Sequence, residues 1–128
     1  MKRKTACFLG DRGIKITPQL RKEIQSTTER LITQEGVRIF LFGDKSPFND
    51  LCVETVTGFK ENYPDLKRVY VRADYPVITK LYEEYILETY DETYMPEGLT
   101  ETSLKRYAER NDKMIEESDF AIVYHNAE

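Results

Sequence analysis

Apolar and polar positions change their period again and again along this chain. Short apolar runs with strand character occupy residues 4–9, 37–42, 67–73 and 119–124, with a weaker one at 91–95. Between them the apolar residues recur three and four apart. Leu20, Ile24, Leu31 and Ile32 fall on one face of a first helix that Thr17 caps, Pro18 opens and Gly36 ends. A second helix starts at Ser46-Pro47, turns Leu51, Cys52, Val56 and Phe59 inward, and stops at Tyr63-Pro64. Ile78, Leu81, Tyr82 and Tyr85 mark a third, and Leu104, Tyr107, Ala108, Asn111, Met114 and Ile115 a fourth. Strand and helix alternate throughout, which predicts an α/β fold around a parallel sheet with right-handed crossovers. Ligands of such sheets lie outside the carboxyl ends of the strands, near the point where strand order reverses.

Composition narrows the class without changing that picture. The 128 residues fit one domain, spanning 1–128, and suffice for a core without staples. Charged residues make up 33% and no apolar run reaches the length of a membrane span, so no membrane partner is expected. The start, MKRKTACFLGDRG, has too short an apolar stretch for a signal peptide. Cys7 and Cys52 lie inside apparent core elements and have no metal-ligand spacing; buried thiols in a reducing cytoplasm are expected. A net charge of -4 argues against bulk nucleic-acid binding while leaving room for a local basic pocket. His125 is the only histidine and stands near the end of the sequence, better suited to a frayed terminus than to a catalytic base. No metal or other cofactor is expected.

The loops at the predicted carboxyl edge are Gly10-Asp11-Arg12-Gly13, Gly43-Asp44-Lys45-Ser46, Arg72-Ala73-Asp74 and His125-Asn126. The first two each join a glycine turn to a carboxylate and a cation. Glycine admits close backbone approach, and a helix start favours an anion. Gly43, Ser46 and Pro47 are equally what an ordinary turn and cap require, and neither loop is a dinucleotide fingerprint or a P-loop. Tyr75-Pro76 could wall a pocket.

A six-residue strand spans about 20 Å, and the helix that covers it needs roughly 13 residues. Counting back from Ser118 places Arg106 near the start of the fourth helix, at the carboxyl edge, with Arg110 one turn on. Asn111 falls in the apolar stripe between Ala108 and Ile115, where a buried amide needs partners. A solvated arginine face and an asparagine bonded to a neighbouring loop are the plainer readings.

The stretches CFLGDRGI, FLFGDKSPFNDLCVETV, RVYVRADYP, YDETYMPE and RYAERNDKMIEESDFAIVYHN resemble the SLOG superfamily, over nearly the whole chain and nearest to its short bacterial branch. The resemblance implies a Rossmann-like three-layer αβα domain with a five-stranded parallel sheet. On a strand order of 3-2-1-4-5, helices one and two would cover one face and helices three and four the other. It implies binding of a nucleotide or nucleotide-derived small molecule. By position it marks Gly10, Asp11 and Arg12, then Gly43, Asp44, Lys45 and Ser46, then Arg110 and Asn111. Glu109-Arg110-Asn111 is similar to the Glu-Arg-Lys that opens the corresponding helix of the LOG enzymes, which cleave ribose phosphate from cytokinin nucleotides.

Two departures shape the expectation. The branch usually carries Gly-His-Arg in the first loop, where this chain has Gly10-Asp11-Arg12. The sequence ends at Glu128, before the Gly-Thr-containing phosphate loop that holds the LOG catalytic glutamate. The expectation is therefore binding without catalysis, as a sensor or a sequestering protein. A LOG-like hydrolase or transferase is the alternative; it would need a carboxylate from Asp11, Asp44 or Asp74. A protein-interaction module that has lost its ligand is another. With no further helix over residues 119–124, a bare strand edge and an uncovered apolar face are expected there, and with them self-association.

Overall fold

The computed structural model describes residues 3–43, 45–101 and 103–125. The elements run β1 (Lys4–Gly10), α1 (Pro18–Thr33), β2 (Val37–Phe42), α2 (Pro47–Phe59), β3 (Lys67–Val71), α3 (Lys80–Leu87), β4 (Glu92–Tyr94), α4 (Lys105–Glu117) and β5 (Phe120–Tyr124). All adjacent strands pair in parallel, so the α/β architecture with a five-stranded parallel sheet stands. No helix among the described residues is long and apolar enough to cross a membrane.

Two helix starts follow from their caps. Thr17 accepts a hydrogen bond from the Leu20 amide, and Ser46 accepts one from the Asn49 amide, each followed by a proline at the first helical position. The α1 stripe of Leu20, Ile24, Leu31 and Ile32 is buried. It packs with α2 on one face of the sheet, against Ala6, Phe8, Val37, Phe40 and Phe42. Phe8 stacks on both Phe40 and Phe42, with ring centroids 5.7 and 5.5 Å apart. The opposite face is smaller: Met114 of α4 covers Cys7, Leu41, Val69 and Val71. Cys7 and Cys52 are both buried free thiols, and burial pushes both thiols up from their ordinary range.

The strand order is 4-3-2-1-5, which corrects the expected 3-2-1-4-5. A strand inserted beside β1 would be flanked on both sides and would need apolar residues on both faces. Glu92-Thr93-Tyr94 is too short and too polar for that, and it lies instead at the outer edge of β3. There Asp91 takes three hydrogen bonds from Arg68, at 2.8, 3.0 and 3.1 Å, and Lys67 reaches Glu92 at 2.6 Å. The change of order moves α3 as well. A right-handed crossover from β3 outward to β4 puts α3 on the side of α1 and α2. Its Tyr85 and Ile86 share a groove there with Asp50, Tyr70 and Tyr90, and among the described helices α4 has the other face alone. Of the expected α3 stripe, Leu81 and Tyr85 are exposed, and the buried residue of α3 is Ile86, which lies outside that stripe.

Among the described residues the bare edge at β5 is present, since β5 pairs only with β1. The uncovered face is corrected. Phe120, Ile122 and Tyr124 are half-buried against the larger core cluster, Tyr124 lies 5.4 Å from the Phe48 ring, and its hydroxyl reaches Glu23 of α1 at 3.2 Å. The start of α2 and the flank of α1 thus supply cover that the sequence assigned to a further helix.

Asp91 clamps the outer strand and gives a pH-dependent prediction. Burial alone would raise its carboxyl, but the hydrogen bonds from Arg68 and the charges of Arg68 and Lys60 outweigh it, and the group sits below its usual range. A carboxylate depressed in the folded state adds stability above its unfolded value of about 3.9, and loses it as pH falls through its folded value. Asp91→Ala is expected to cost about 2 kcal/mol at pH 7. The gap between mutant and wild type in urea unfolding should narrow below about pH 4. A gap of the same size at pH 3 and pH 7 would show that the clamp is not electrostatic.

Candidate functional site

The carboxyl ends of β1, β2 and β3 meet the first turns of α4, because an antiparallel helix that returns across the sheet starts at that edge. α4 has the 13 residues estimated from the strand length, and Arg106 lies in its first turn. Within it the burial of two neighbours reverses the expectation. Arg110 is 2% exposed, while Asn111 is half-buried. The Arg110 guanidinium donates to the Asn111 side-chain oxygen at 3.0 Å and to the Val71 carbonyl at 3.3 Å. Arg110 shares the inner face with Met114, four residues on, and Gly43 makes room for it. A Cβ on Gly43 would stand 3.1 Å from the guanidinium carbon.

Gly10 has a comparable role. A Cβ there would lie 2.4 Å from the Phe48 ring. The close approach that these two glycines permit is therefore made by the chain's own side chains. Neither has a positive φ. Ser46 spends its acceptor on the Asn49 amide, and Pro47 has no N–H, so the start of α2 offers an anion little. Gly10, Ser46, Asn49 and Asn111 do converge, around a crevice of about 20 Å³. That is room for about one water molecule.

The remaining expected residues separate. Asp11 and Arg12 lie on the exposed turn after β1, where the Asp11 amide donates to the Tyr124 carbonyl and its carboxylate is 3.6 Å from His125. Lys45 turns away from them and places its ammonium 5.5 Å from the centre of the Tyr85 ring. Asp44 and Asn126 lie outside the described residues. No cluster of three potential metal ligands occurs among the described residues.

A second assembly, centred on Tyr107 and Asp74, joins Arg106 to Arg110. Both guanidinium groups lie over the Tyr107 ring, at 5.3 and 5.8 Å. The Tyr107 hydroxyl donates to Asp74, whose carboxylate is also 3.8 Å from Arg106. The Tyr70 hydroxyl is pushed up to about 12, first by burial and then by Tyr82 and the Asp74 charge, with Arg110 opposing. Asp74 and Arg106 open onto a cleft of about 650 Å³ whose other wall is the connection from β4 to α4, including Met95, Pro96, Leu99 and Glu101. Such a volume suits a small organic ligand. Glu109 of α4 holds this wall in place by accepting from both the amide and the hydroxyl of Thr100, which keeps its own carboxyl below the usual range.

The sequence reading missed the wall at 95–101. Its signal was Met95-Pro96-Glu97-Gly98, a proline and a glycine in the long connection that leaves the carboxyl end of a strand. Comparison with protein-family models and with curated proteins gives no match.

Proposed function

We propose that this chain binds a nucleotide-derived small molecule at the carboxyl edge of its sheet without transforming it, as a sensor or a sequestering protein. The observation that carries the reading is the convergence of Arg106 and Arg110 on Tyr107, beside a cleft of about 650 Å³. Guanidinium groups suit phosphate oxygens, the apolar side chains of Met95 and Leu99 suit a base, and exposed carboxylates such as Glu101 suit sugar hydroxyls. The resemblance to the SLOG superfamily points to the same ligand class. Among the three candidate carboxylates for a LOG-like cleavage, Asp74 is held by Tyr107 and Arg106, an arrangement that steadies a charge rather than freeing a nucleophile.

The deciding experiment is mass spectrometry of the small molecules released when freshly purified protein is denatured. A stoichiometric nucleotide-like mass, recovered intact, is the expected result. Recovery of a free base with ribose phosphate would instead support the hydrolase. An empty protein whose melting ignores nucleotides and cyclic dinucleotides would favour the interaction module.

We also propose self-association through β5, on the observation that among the described residues this strand pairs only with β1 and leaves Val123 exposed. Light scattering should report a dimer or larger species at high concentration, reduced by Val123→Lys. A strictly monomeric species at every concentration would end this proposal.

A further inference from the structure

We propose that Arg72, at the carboxyl end of β3, anchors a phosphate group. The identity of the ligand that carries this phosphate rests on the nucleotide reading above; the anion site itself does not. Arg72 is 9% exposed, and its Nε and Nη1 are shielded without a hydrogen-bond partner among the described residues. Four buried side-chain nitrogen or oxygen atoms share that condition among the described residues, and three of them belong to Arg72 and Arg106.

The other well-covered arginines are provided for. Arg38 donates to the carbonyls of Ile32 and Val37, Arg68 to Asp91, and Arg110 to Asn111 and Val71. A guanidinium cannot shed its proton to escape burial, so a shielded one without acceptors is costly unless an anion meets it.

The position fits a ligand anchor. The Arg72 amide donates to the Tyr94 carbonyl at 2.7 Å, so Arg72 leaves the sheet where β3 and β4 part. Asp74, two residues on, and Met95, next after Tyr94, both line the cleft, and Asp74 meets Arg106. Arg72 thus stands two positions before Asp74, a carboxylate that the Tyr107 hydroxyl and Arg106 already engage. The unpaired Nε and Nη1 of Arg72 lie on one guanidinium group, and an oxyanion with several acceptor oxygens, such as a phosphate, can meet that group and still accept from neighbouring donors.

The test is the melting temperature in sodium pyrophosphate, against sodium chloride and sodium acetate of equal ionic strength. For wild type near ten times its Kd, pyrophosphate should raise the melting temperature by roughly 4 °C, and acetate should not. Arg72→Met should melt at or above wild type in chloride, because it removes an uncompensated charge, and should lose most of the rise. Arg72→Lys should keep part of it. The proposal falls if wild type does not respond, if acetate acts as well as pyrophosphate, or if Arg72→Met keeps the full rise. It falls also if Arg72→Met melts well below wild type in chloride, which would make the guanidinium a structural brace. A pyrophosphate response with no nucleotide-like mass released upholds Arg72 and removes the nucleotide reading. A released nucleotide from a protein blind to pyrophosphate does the reverse.

Discussion

Phe40→Ala is expected to remove about 4 kcal/mol of stability, a large part of the roughly 5–15 kcal/mol that holds a domain together. Phe40 lies on β2, is fully buried, and stacks on Phe8, which in turn stacks on Phe42. Truncation loses the transfer energy of the ring, leaves a cavity in the larger core cluster, and breaks one of these two contacts. The midpoint of thermal unfolding should fall by about 15 °C. Leu104→Ala is the control: Leu104 is 82% exposed, and its loss should change stability by less than about 0.5 kcal/mol. Similar shifts for the two variants would mean that β2 does not carry the centre of the core.

Arg110→Ala is expected to weaken binding of the proposed nucleotide-derived ligand by about 100-fold, and to lower stability by about 3 kcal/mol. The stability loss comes from removing the donors to Val71 and Asn111 and from the space left beneath Gly43. The affinity loss comes from the Tyr107 assembly, which Arg110 supports from below. Arg110→Lys should recover little of either, because an ammonium lacks the planar fork that meets both acceptors. Calorimetric titration with the ligand recovered from the protein measures the first effect, and urea unfolding the second. Unchanged affinity in a folded variant would move the ligand away from α4 and favour the interaction module.

The elements were largely legible because their signals are local. Thr17-Pro18 and Ser46-Pro47 mark helix starts by cap chemistry, and the length of α4 follows from the strand that it must cover. The placement of β4 was not legible from alternation alone. A crossover rule sets the hand of a connection but not whether the next strand goes outward or returns past the first one. The polarity of Glu92-Thr93-Tyr94 was the readable clue to an edge. In the site, the stripe on α4 was found but not its centre. The apolar stripe put Asn111 inside and set Arg110 one turn on from Arg106 at the carboxyl edge, while the space beneath Gly43 takes Arg110. The glycines of both loops were read as room for a ligand and proved to be room for Phe48 and Arg110. Those contacts join residues far apart in the chain, and no local pattern carries them.

The position of β1 between β2 and β5 also has a consequence for synthesis on the ribosome. Thr5 bonds to Asp119 across 114 positions, and the ladder continues from Ala6 with Phe120 to Gly10 with Tyr124. At translation rates of about 5–20 residues per second, that separation of 114 positions is a wait of roughly 6–23 s. Throughout it β1 can pair with β2 on one side only, and its other edge, with Ala6, Cys7 and Phe8, stays open to any neighbouring strand. The emergence of residues 120–124 closes that seam.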